Sequence, residues 1–317
     1  MRGENEMDTA SRHRTISIIM FAVLVASVLA AWGLTLTSGR LTRNGGKVMA
    51  ALKEEGADAF WSPGREHWTI TTQSGKPIAW SYYAHRRDTD GTYRGIEVTI
   101  RRIGDHRDGH WSTWQLSNHL DSSLYNAGRV NILPNSVTLT SDTTTTFKNG
   151  SIHLNQRVEN SRLKSQAGAG DNYIPEGSLP LVMAMVARQK AEAKFEIIYD
   201  YQPPKDGVIQ FHKIVMDHRG PSDQIEGGKE IAWRAVGGKG GAAVYVIDSG
   251  GFTLYRRIGN EIERQATRQD VLRTFRLSDA ILRSVLQEAP DHWPQPEVPM
   301  DPNELVEDAL ESGSHDE

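Results

Sequence analysis

The strongest constraint on this chain is an apolar run over residues 15–37, which directly follows a basic cluster at residues 12–14. Between Ile16 and Leu36 the run contains no charged residue and no proline. At a helical rise of about 1.5 Å per residue, these 21 residues reach roughly 30 Å, the thickness of a bilayer core. The run therefore predicts one membrane-spanning helix that tethers the rest of the chain.

A cleaved signal peptide is the alternative interpretation of the same run, because Val28, Leu29 and Ala30 provide a small-residue cleavage site. The apolar character continues through Leu36, and Trp32 suits a membrane interface, so a retained anchor is favoured. Long domains translocate largely regardless of their charge, so we expect a cytoplasmic N-terminus and an extracytoplasmic body. The predicted localisation is the inner or cell membrane, single-pass, with the bulk of the chain in the periplasm.

The composition fits an exported body with an acidic tail. The chain has no cysteine, which excludes disulfides, thiolate metal sites, a cysteine nucleophile and a lipidated cysteine. Residues 288–317 contain ten acidic residues and no Lys or Arg, so the remainder of this chain of net charge −4 carries +6. This tail is too polar to order itself. Nucleic acid is not expected as a partner, since the chain is acidic overall and its body is predicted to lie outside the cytoplasm.

These features divide the chain into five segments. They are a cytoplasmic N-terminus at 1–14, a transmembrane anchor at 15–37, a linker and juxtamembrane helix at 38–64, an extracytoplasmic β-rich domain at 65–288 and a disordered acidic tail at 289–317. The body is long enough to bury a sizeable hydrophobic core.

Alternation of apolar and polar residues predicts antiparallel strands in the body. In two runs the apolar residues are expected to form one buried face of a strand, with their polar neighbours on the outside. The apolar residues are Ile78, Trp80 and Tyr82 in the first run and Ile96, Val98 and Ile100 in the second. Five turn sequences join such runs, at residues 73–76, 88–91, 148–150, 204–207 and 248–251. Asn149 and Gly150 suit a type I′ turn, and residues 143–146 are expected to form a solvent-facing strand.

Three helical segments interrupt the strands, at residues 47–57, 179–193 and 269–287. Ser178 is the predicted N-cap of the second segment. The third divides into two short helices, which Asp270 and Ser278 are expected to cap. The predicted fold class is mainly β with α (α+β), with a transmembrane helix followed by a curved, half-barrel-like antiparallel sheet and a few packed helices.

Three stretches together resemble a class of exported bacterial domains: His67 to Ile70, Gly75 to Trp80 and Asn172 to Gly177. Their layout is similar to half-barrel domains of unknown function of the DUF3108 type and, more distantly, to the LolA-like lipoprotein carriers. The resemblance covers roughly Arg65 to Arg257. It implies a strongly curved sheet around a helix-containing insertion, with a concave face able to hold an apolar ligand. The anchor departs from the LolA-like pattern, and the resemblance supplies no catalytic residue.

The chain offers no clear constellation for catalysis, a cofactor or a metal. The run from Asp105 to His110 contains metal-ligating residue types, but a polar hairpin tip over 104–109 accounts for them. No serine lies in a nucleophile elbow, and the glycines at 237–241 lack the spacing and the following helix of a phosphate loop. We therefore expect a protein that is not an enzyme and has no catalytic, cofactor-binding or metal residues.

Two sets of residues are candidates for partner binding. In the acidic tail, a short helix beginning at Pro302 would present Leu305, Val306 and Leu310 together on one apolar face. This helix is too short to form alone, so we expect it to fold only against a partner; a solubilising tail is the alternative. The second set lies at strand ends and could attract lipid head groups or an acidic partner, with a solvated surface as the alternative: Arg86, Arg87, Arg101 and Arg102.

Two classes of function follow. The favoured prediction is a non-enzymatic, membrane-anchored extracytoplasmic protein that binds a protein partner or scaffolds an envelope complex. The alternative is a half-barrel that binds or carries a lipid or another apolar ligand. An open cavity lined by Trp, Met and aliphatic side chains would favour the carrier, whereas a filled core with an exposed apolar patch would favour the scaffold.

Overall fold

A computed structural model describes residues 38–103, 106–133, 136–158, 161–188, 194–200, 209, 211–236 and 242–291. The predicted anchor at 15–37 and the tail residues Leu305, Val306 and Leu310 lie outside these ranges, as do the predicted turn at 204–207 and the glycine loop at 237–241. Within the described ranges, no helix has both the length and the apolar character needed to cross a membrane.

The described chain contains fourteen strands, four α-helices and one short 3-10 helix. The helices are α1 at 38–55, the 3-10 helix Ala57–Ala59, α2 Leu179–Arg188, α3 Arg268–Phe275 and α4 Asp279–Asp291. The strands are β1 Gly64–Gln73, β2 Lys76–Arg87, β3 Tyr93–Ile103, β4 His106–Leu116, β5 Ser122–Leu133, β6 Ser136–Lys148, β7 Ser151–Val158, β8 Ser161–Gly168, β9 Phe195–Asp200, β10 Phe211–Pro221, β11 Lys229–Val236, β12 Ala243–Ile247, β13 Thr253–Ile258 and β14 Glu261–Ala266.

All fourteen strands belong to one antiparallel sheet, in the order β8-β7-β6-β5-β4-β3-β2-β1-β14-β13-β12-β11-β10-β9. Strands β1 to β8 form one meander and β9 to β14 form a second. Pairing of β1 with β14 joins the two, with Trp68 opposite Ala266. The segment after β8 then reaches the far edge, where Tyr173 bridges to Ile198 in β9. The sheet is therefore open and curved, and the prediction of a mainly antiparallel α+β fold is confirmed.

Helices cover both faces of the central strands. The face that we call inner packs against α1 and α2, whose buried side chains include Leu52 and Leu181. The outer face packs against α3 and α4 through Val271 and Leu282. The central strands are consequently buried on both sides.

This double coverage confirms one prediction and corrects another. Ile96, Val98 and Ile100 of β3 are buried on the outer face, as expected. The alternation in β2 predicts a single buried face, but Tyr82 is buried on the outer face and Tyr83 on the inner face. The period-2 pattern does not reveal this because tyrosine is compatible with either a buried or an exposed position.

The turn chemistry of the sequence is confirmed where the structure describes it. The predicted turns at 73–76, 88–91, 148–150 and 248–251 join β1 to β2, β2 to β3, β6 to β7 and β12 to β13. Asn149 and Gly150 have φ values of 50° and 81°, as a type I′ turn requires. The solvent-facing prediction for residues 143–146 is wrong for Thr143 and Thr145, which are buried because they lie on the inner face of β6.

Replacing Gly150 by valine should destabilise the protein by about 1 to 3 kcal/mol, because a β-branched residue would be forced to positive φ. No atom lies within 4 Å of the added Cβ, so backbone strain alone is responsible. Urea denaturation measures the effect. Gly168→Val is the matched control, since Gly168 also has open space but lies in β8 without a positive φ. Equal stability of the two variants would contradict the prediction.

The helix ends show which side chains act as caps. Helix α1 covers 38–55, so it includes residues before the predicted 47–57 segment and ends two residues earlier than predicted, where Gly56 follows at φ 80°. For α3, the predicted cap is wrong by three residues: Thr267 is the N-cap, and Asp270 completes a capping box with it. The Ser278 hydroxyl accepts from the Ile281 N–H at 3.2 Å, as predicted for α4. The Ser178 hydroxyl instead donates to the Pro175 carbonyl at 2.5 Å.

Candidate functional site

A cavity of about 420 Å³ lies between the inner face of the sheet and α2. Its sheet side is polar, because strands β1, β2 and β3 present hydroxyl and charged side chains at alternate positions. These side chains are Thr69, Thr71, Ser81, Glu97, Thr99 and Arg101. The Ser81 and Thr99 hydroxyl oxygens lie 2.9 Å apart.

The opposite wall of the cavity is apolar and comes from α2. Leu179, Pro180 and Met183 line it, and Phe252 adds an aromatic side chain from the β12–β13 turn. Helix and turn can approach this closely because Gly251 has no side chain: a Cβ there would lie 1.8 Å from the Pro180 carbonyl oxygen. The cavity therefore offers a ligand one polar and one apolar wall.

Two arginines in the cavity wall are each held by a glutamate. The Arg256 guanidinium lies 2.5 Å from Glu263, which also accepts from the Thr69 hydroxyl at 2.6 Å. Burial alone would lower the pKa of Arg256, but the carboxylate of Glu263 and the Tyr245 hydroxyl raise it. Arg101 pairs with Glu261 at 2.5 Å. Both guanidinium charges are therefore neutralised by the wall itself.

Glu97 differs from these two glutamates. Its side chain lines the cavity and is exposed to solvent there. No hydrogen bond or ion pair engages its carboxylate among the described residues. Desolvation and the nearby Glu263 charge raise the pKa of Glu97, against the opposing effect of Arg256. The cavity thus contains a carboxylate without a fixed counter-charge.

His67 provides a second polar group without a full set of partners. It is 6 % exposed and lies on the inner face of β1. Its Nε2 lies 2.8 Å from the Thr253 carbonyl oxygen, which can only accept, so Nε2 carries the proton. Nδ1 is then a buried acceptor with no hydrogen-bond partner among the described residues. Burial lowers the pKa of His67, so the ring stays neutral.

An aromatic cluster packs beside the cavity on the inner face. The His85 ring stacks between Trp61 and Phe252, with centroid distances of 4.5 and 5.8 Å. The ring centroid of Trp114 lies 5.8 Å from that of Trp61 and 5.9 Å from that of Tyr83. Phe252 and Tyr83 belong both to this cluster and to the cavity wall. The cluster therefore fixes one end of the cavity.

The predicted basic set does not converge on one rim. Arg86 and Arg87 end β2, where they pair with Asp88 at 3.4 Å and Asp58 at 2.7 Å. Antiparallel pairing places the far end of β3, with Arg101 and Arg102, at the opposite end of the strand pair. Their roles in partner binding stay predictions. Arg101 instead lines the cavity.

The polar run proposed as a hairpin tip over 104–109 is mostly strand. Strand β4 begins at His106, and residues 104–105 lie outside the described ranges. Asp108 and Gly109 are paired within the sheet to both β3 and β5. The described residues contain no group of three or more His, Asp or Glu side chains placed to hold a metal ion.

A larger groove of about 1170 Å³ lies between α1 and residues 170–172. Small residues such as Gly39 and Gly46 and the cations Arg43 and Lys47 line it on the helix side. Most of these helix positions are exposed. Asn172 is the buried polar side chain that lines the groove among the described residues, and its Nδ2 already donates to the Glu196 carbonyl at 3.0 Å. The smaller cavity inside the sheet is therefore the better candidate for a specific ligand site.

The resemblance implied a concave face for an apolar ligand, but the polar wall of the cavity was not predicted, because its residues were assigned to a solvent face. The available signal was a set of opposite charges at alternate positions of strands: Glu97 and Arg101, then Arg256, Glu261 and Glu263. That pattern fits an exposed face equally well. Only the coverage of the inner face by α2 converts it into a cavity wall.

Comparisons with known proteins identify no family. No protein-family profile and no curated protein matches the chain. One similar solved structure is a beta-barrel-like protein of a domain of unknown function, DUF1849, from Brucella abortus, with 8 % identity over 64 % of this chain and 94 % of that chain and a TM-score of 0.45. Another is a DUF1089 family protein from Pseudomonas aeruginosa, with 10 % identity, coverage of 59 % and 87 %, and a TM-score of 0.25. The resemblance to DUF3108-type and LolA-like domains stays a prediction.

Proposed function

We propose that this protein binds a small molecule in the cavity between the inner face of its sheet and α2. The observation that carries the proposal is the cavity itself: about 420 Å³, with a polar strand wall facing an apolar helix wall. Pockets of small-molecule binding proteins have this size range and combine apolar surface with a few placed polar groups. The proposal develops the carrier alternative, but for a small amphipathic ligand rather than a purely apolar one.

The scaffold prediction receives less support from the described surface. Among the described residues, Phe211 is the one large hydrophobic residue that is exposed, with 38 % of its surface accessible to solvent. A contiguous apolar docking patch is therefore not visible there. Membrane attachment, a periplasmic location and a partner for the acidic tail rest on residues outside the described ranges and remain part of the proposal. No residue geometry in the described ranges suggests catalysis, and we propose a binding protein rather than an enzyme.

The proposal predicts saturable binding of small aryl compounds to the full chain. Suitable probes are three molecules of similar shape that differ in charge: 2-phenylethylamine, 2-phenylethanol and 3-phenylpropionate. Calorimetric titration should detect at least one of them. Because Ser81 lines the cavity, Ser81→Leu should fill part of it and weaken this binding by about tenfold or more.

Ser161→Leu is the matched control, since Ser161 is exposed at the edge strand β8 and should tolerate the change without loss of binding. Cooperative thermal unfolding verifies that both variants are folded. If no probe binds, or if Ser81→Leu binds as well as the wild-type protein, the cavity is not a ligand site and the proposed function is wrong.

A further inference from the structure

The charge of the cavity wall defines the class of ligand more closely. Four carboxylates line the cavity, from Glu97, Glu176, Glu261 and Glu263, against two guanidinium groups, from Arg101 and Arg256. His67 adds no charge, because its buried ring is neutral. The wall therefore carries a formal excess of negative charge, and the Arg–Glu pairs leave Glu97 as a carboxylate that no described cation neutralises by direct contact.

From this arrangement we propose that the cavity recognises an amphipathic amine, with its ammonium group at Glu97 and its apolar part against α2. The inference rests on the proposed function and adds the ligand class to it. An ammonium group donates up to three hydrogen bonds and accepts none. The polar wall near Glu97 supplies hydroxyl oxygens from Ser81 and Thr99, in addition to the Glu97 carboxylate.

His67 is an independent observation in favour of a hydrogen-bond donor as ligand. It lines the same cavity, is more than nine-tenths buried, and keeps an acceptor nitrogen without a partner among the described residues. Leaving a buried polar atom unsatisfied costs free energy, so a ligand donor that reached Nδ1 would gain a hydrogen bond that the described residues do not supply. An anionic ligand would instead face repulsion from the excess carboxylates.

The apolar wall determines the rest of the ligand. Leu179 and Met183 of α2 face the polar strands across the cavity. A polyamine would place charge against these side chains, where its desolvation costs free energy. A single amine on an aryl or short alkyl body matches both walls, because its charged and apolar ends are separate.

The test compares 2-phenylethylamine with 2-phenylethanol on the full-length protein and on Glu97→Gln. We expect the wild-type protein to prefer the amine over the alcohol by about tenfold, the effect of one charge-assisted hydrogen bond. Glu97→Gln should abolish this preference while the alcohol binds within about twofold of its wild-type affinity. Glu97→Asp, which keeps the charge, should retain part of the preference.

Glu226→Gln serves as the control, because Glu226 is exposed in the β10–β11 loop and the substitution removes the same charge outside the cavity. Acidification should weaken amine binding in the wild-type protein and not in Glu97→Gln, since a protonated Glu97 no longer attracts the cation. Groups facing Glu97 that bear on this titration are Glu263, Arg256, Tyr83 and Tyr245.

The outcomes separate the two proposals. Binding of the alcohol or the carboxylate with equal or higher affinity than the amine would overturn the amine inference and leave the ligand-binding function standing. An unchanged amine preference in Glu97→Gln would also overturn it. Absence of binding by every probe would reject the proposed function itself.

Discussion

Replacing Trp114 by alanine is expected to destabilise the protein by about 3 to 5 kcal/mol, because a large and fully enclosed ring is lost from the core. The Trp114 side chain is 1 % exposed and packs in the aromatic cluster on the inner face. Two glycines make room for its ring: a Cβ on Gly95 would lie 2.0 Å from it, and a Cβ on Gly177 2.5 Å. Urea denaturation, with the slope and midpoint both recorded, measures the loss.

A double-mutant cycle tests the cause of this effect. Gly95→Ala alone should cost about 1 to 3 kcal/mol, because the ring and the backbone of β3 cannot both stay in place. In the Trp114→Ala background the same change should cost almost nothing, since the ring that it would strike is gone. Gly168→Ala, which meets no atom within 4 Å, is the control. Additive costs for Gly95 and Trp114 would contradict this packing.

Acidification should destabilise the protein through His85. Burial between aromatic rings lowers the pKa of His85 from 6.5 to about 4, although a hydrogen bond with the Ser62 carbonyl opposes the shift. The unfolded chain therefore takes up a proton at a higher pH than the folded protein does. Stability from this group is fully present above about pH 6.5 and is lost as the pH falls towards about 4. The expected loss is about 3 kcal/mol.

His85→Phe isolates this contribution. The variant keeps an aromatic ring at the position but has no group to titrate, so its stability should fall less than that of the wild-type protein between about pH 7 and pH 4.5. His110→Phe, at an exposed position of β4, should retain the wild-type pH dependence. Identical pH dependence in His85→Phe and the wild-type protein would show that His85 does not titrate as its burial requires.

Much of the fold could be predicted from the sequence because hydrophobic alternation and turn propensities agree with the final structure. The alternation around Val98 identified β3 and its buried outer face, and Asn149 with Gly150 identified a hairpin through their tolerance of positive φ. The helix start at Thr267 was missed in favour of Asp270, because both residues of a capping box are favourable cap residues.

The candidate site was less predictable because it depends on tertiary contacts. Glu97 and Glu263 are far apart in sequence and come together on one face only because β3 pairs with β2, β2 with β1, and β1 with β14. An isolated strand pattern cannot distinguish a polar face in solvent from one that borders an enclosed cavity. The ion pair of Arg256 with Glu263 likewise follows from strand register, which the sequence did not specify.

The most direct test of a ligand site inside the sheet is a crystal structure of the protein with 2-phenylethylamine. We predict density for the probe in the cavity beside α2, with its nitrogen within about 3.2 Å of a Glu97 carboxylate oxygen and its ring against Leu179 and Met183. An empty cavity at saturating amine, or a probe bound only in the groove along α1, would contradict a ligand site inside the sheet.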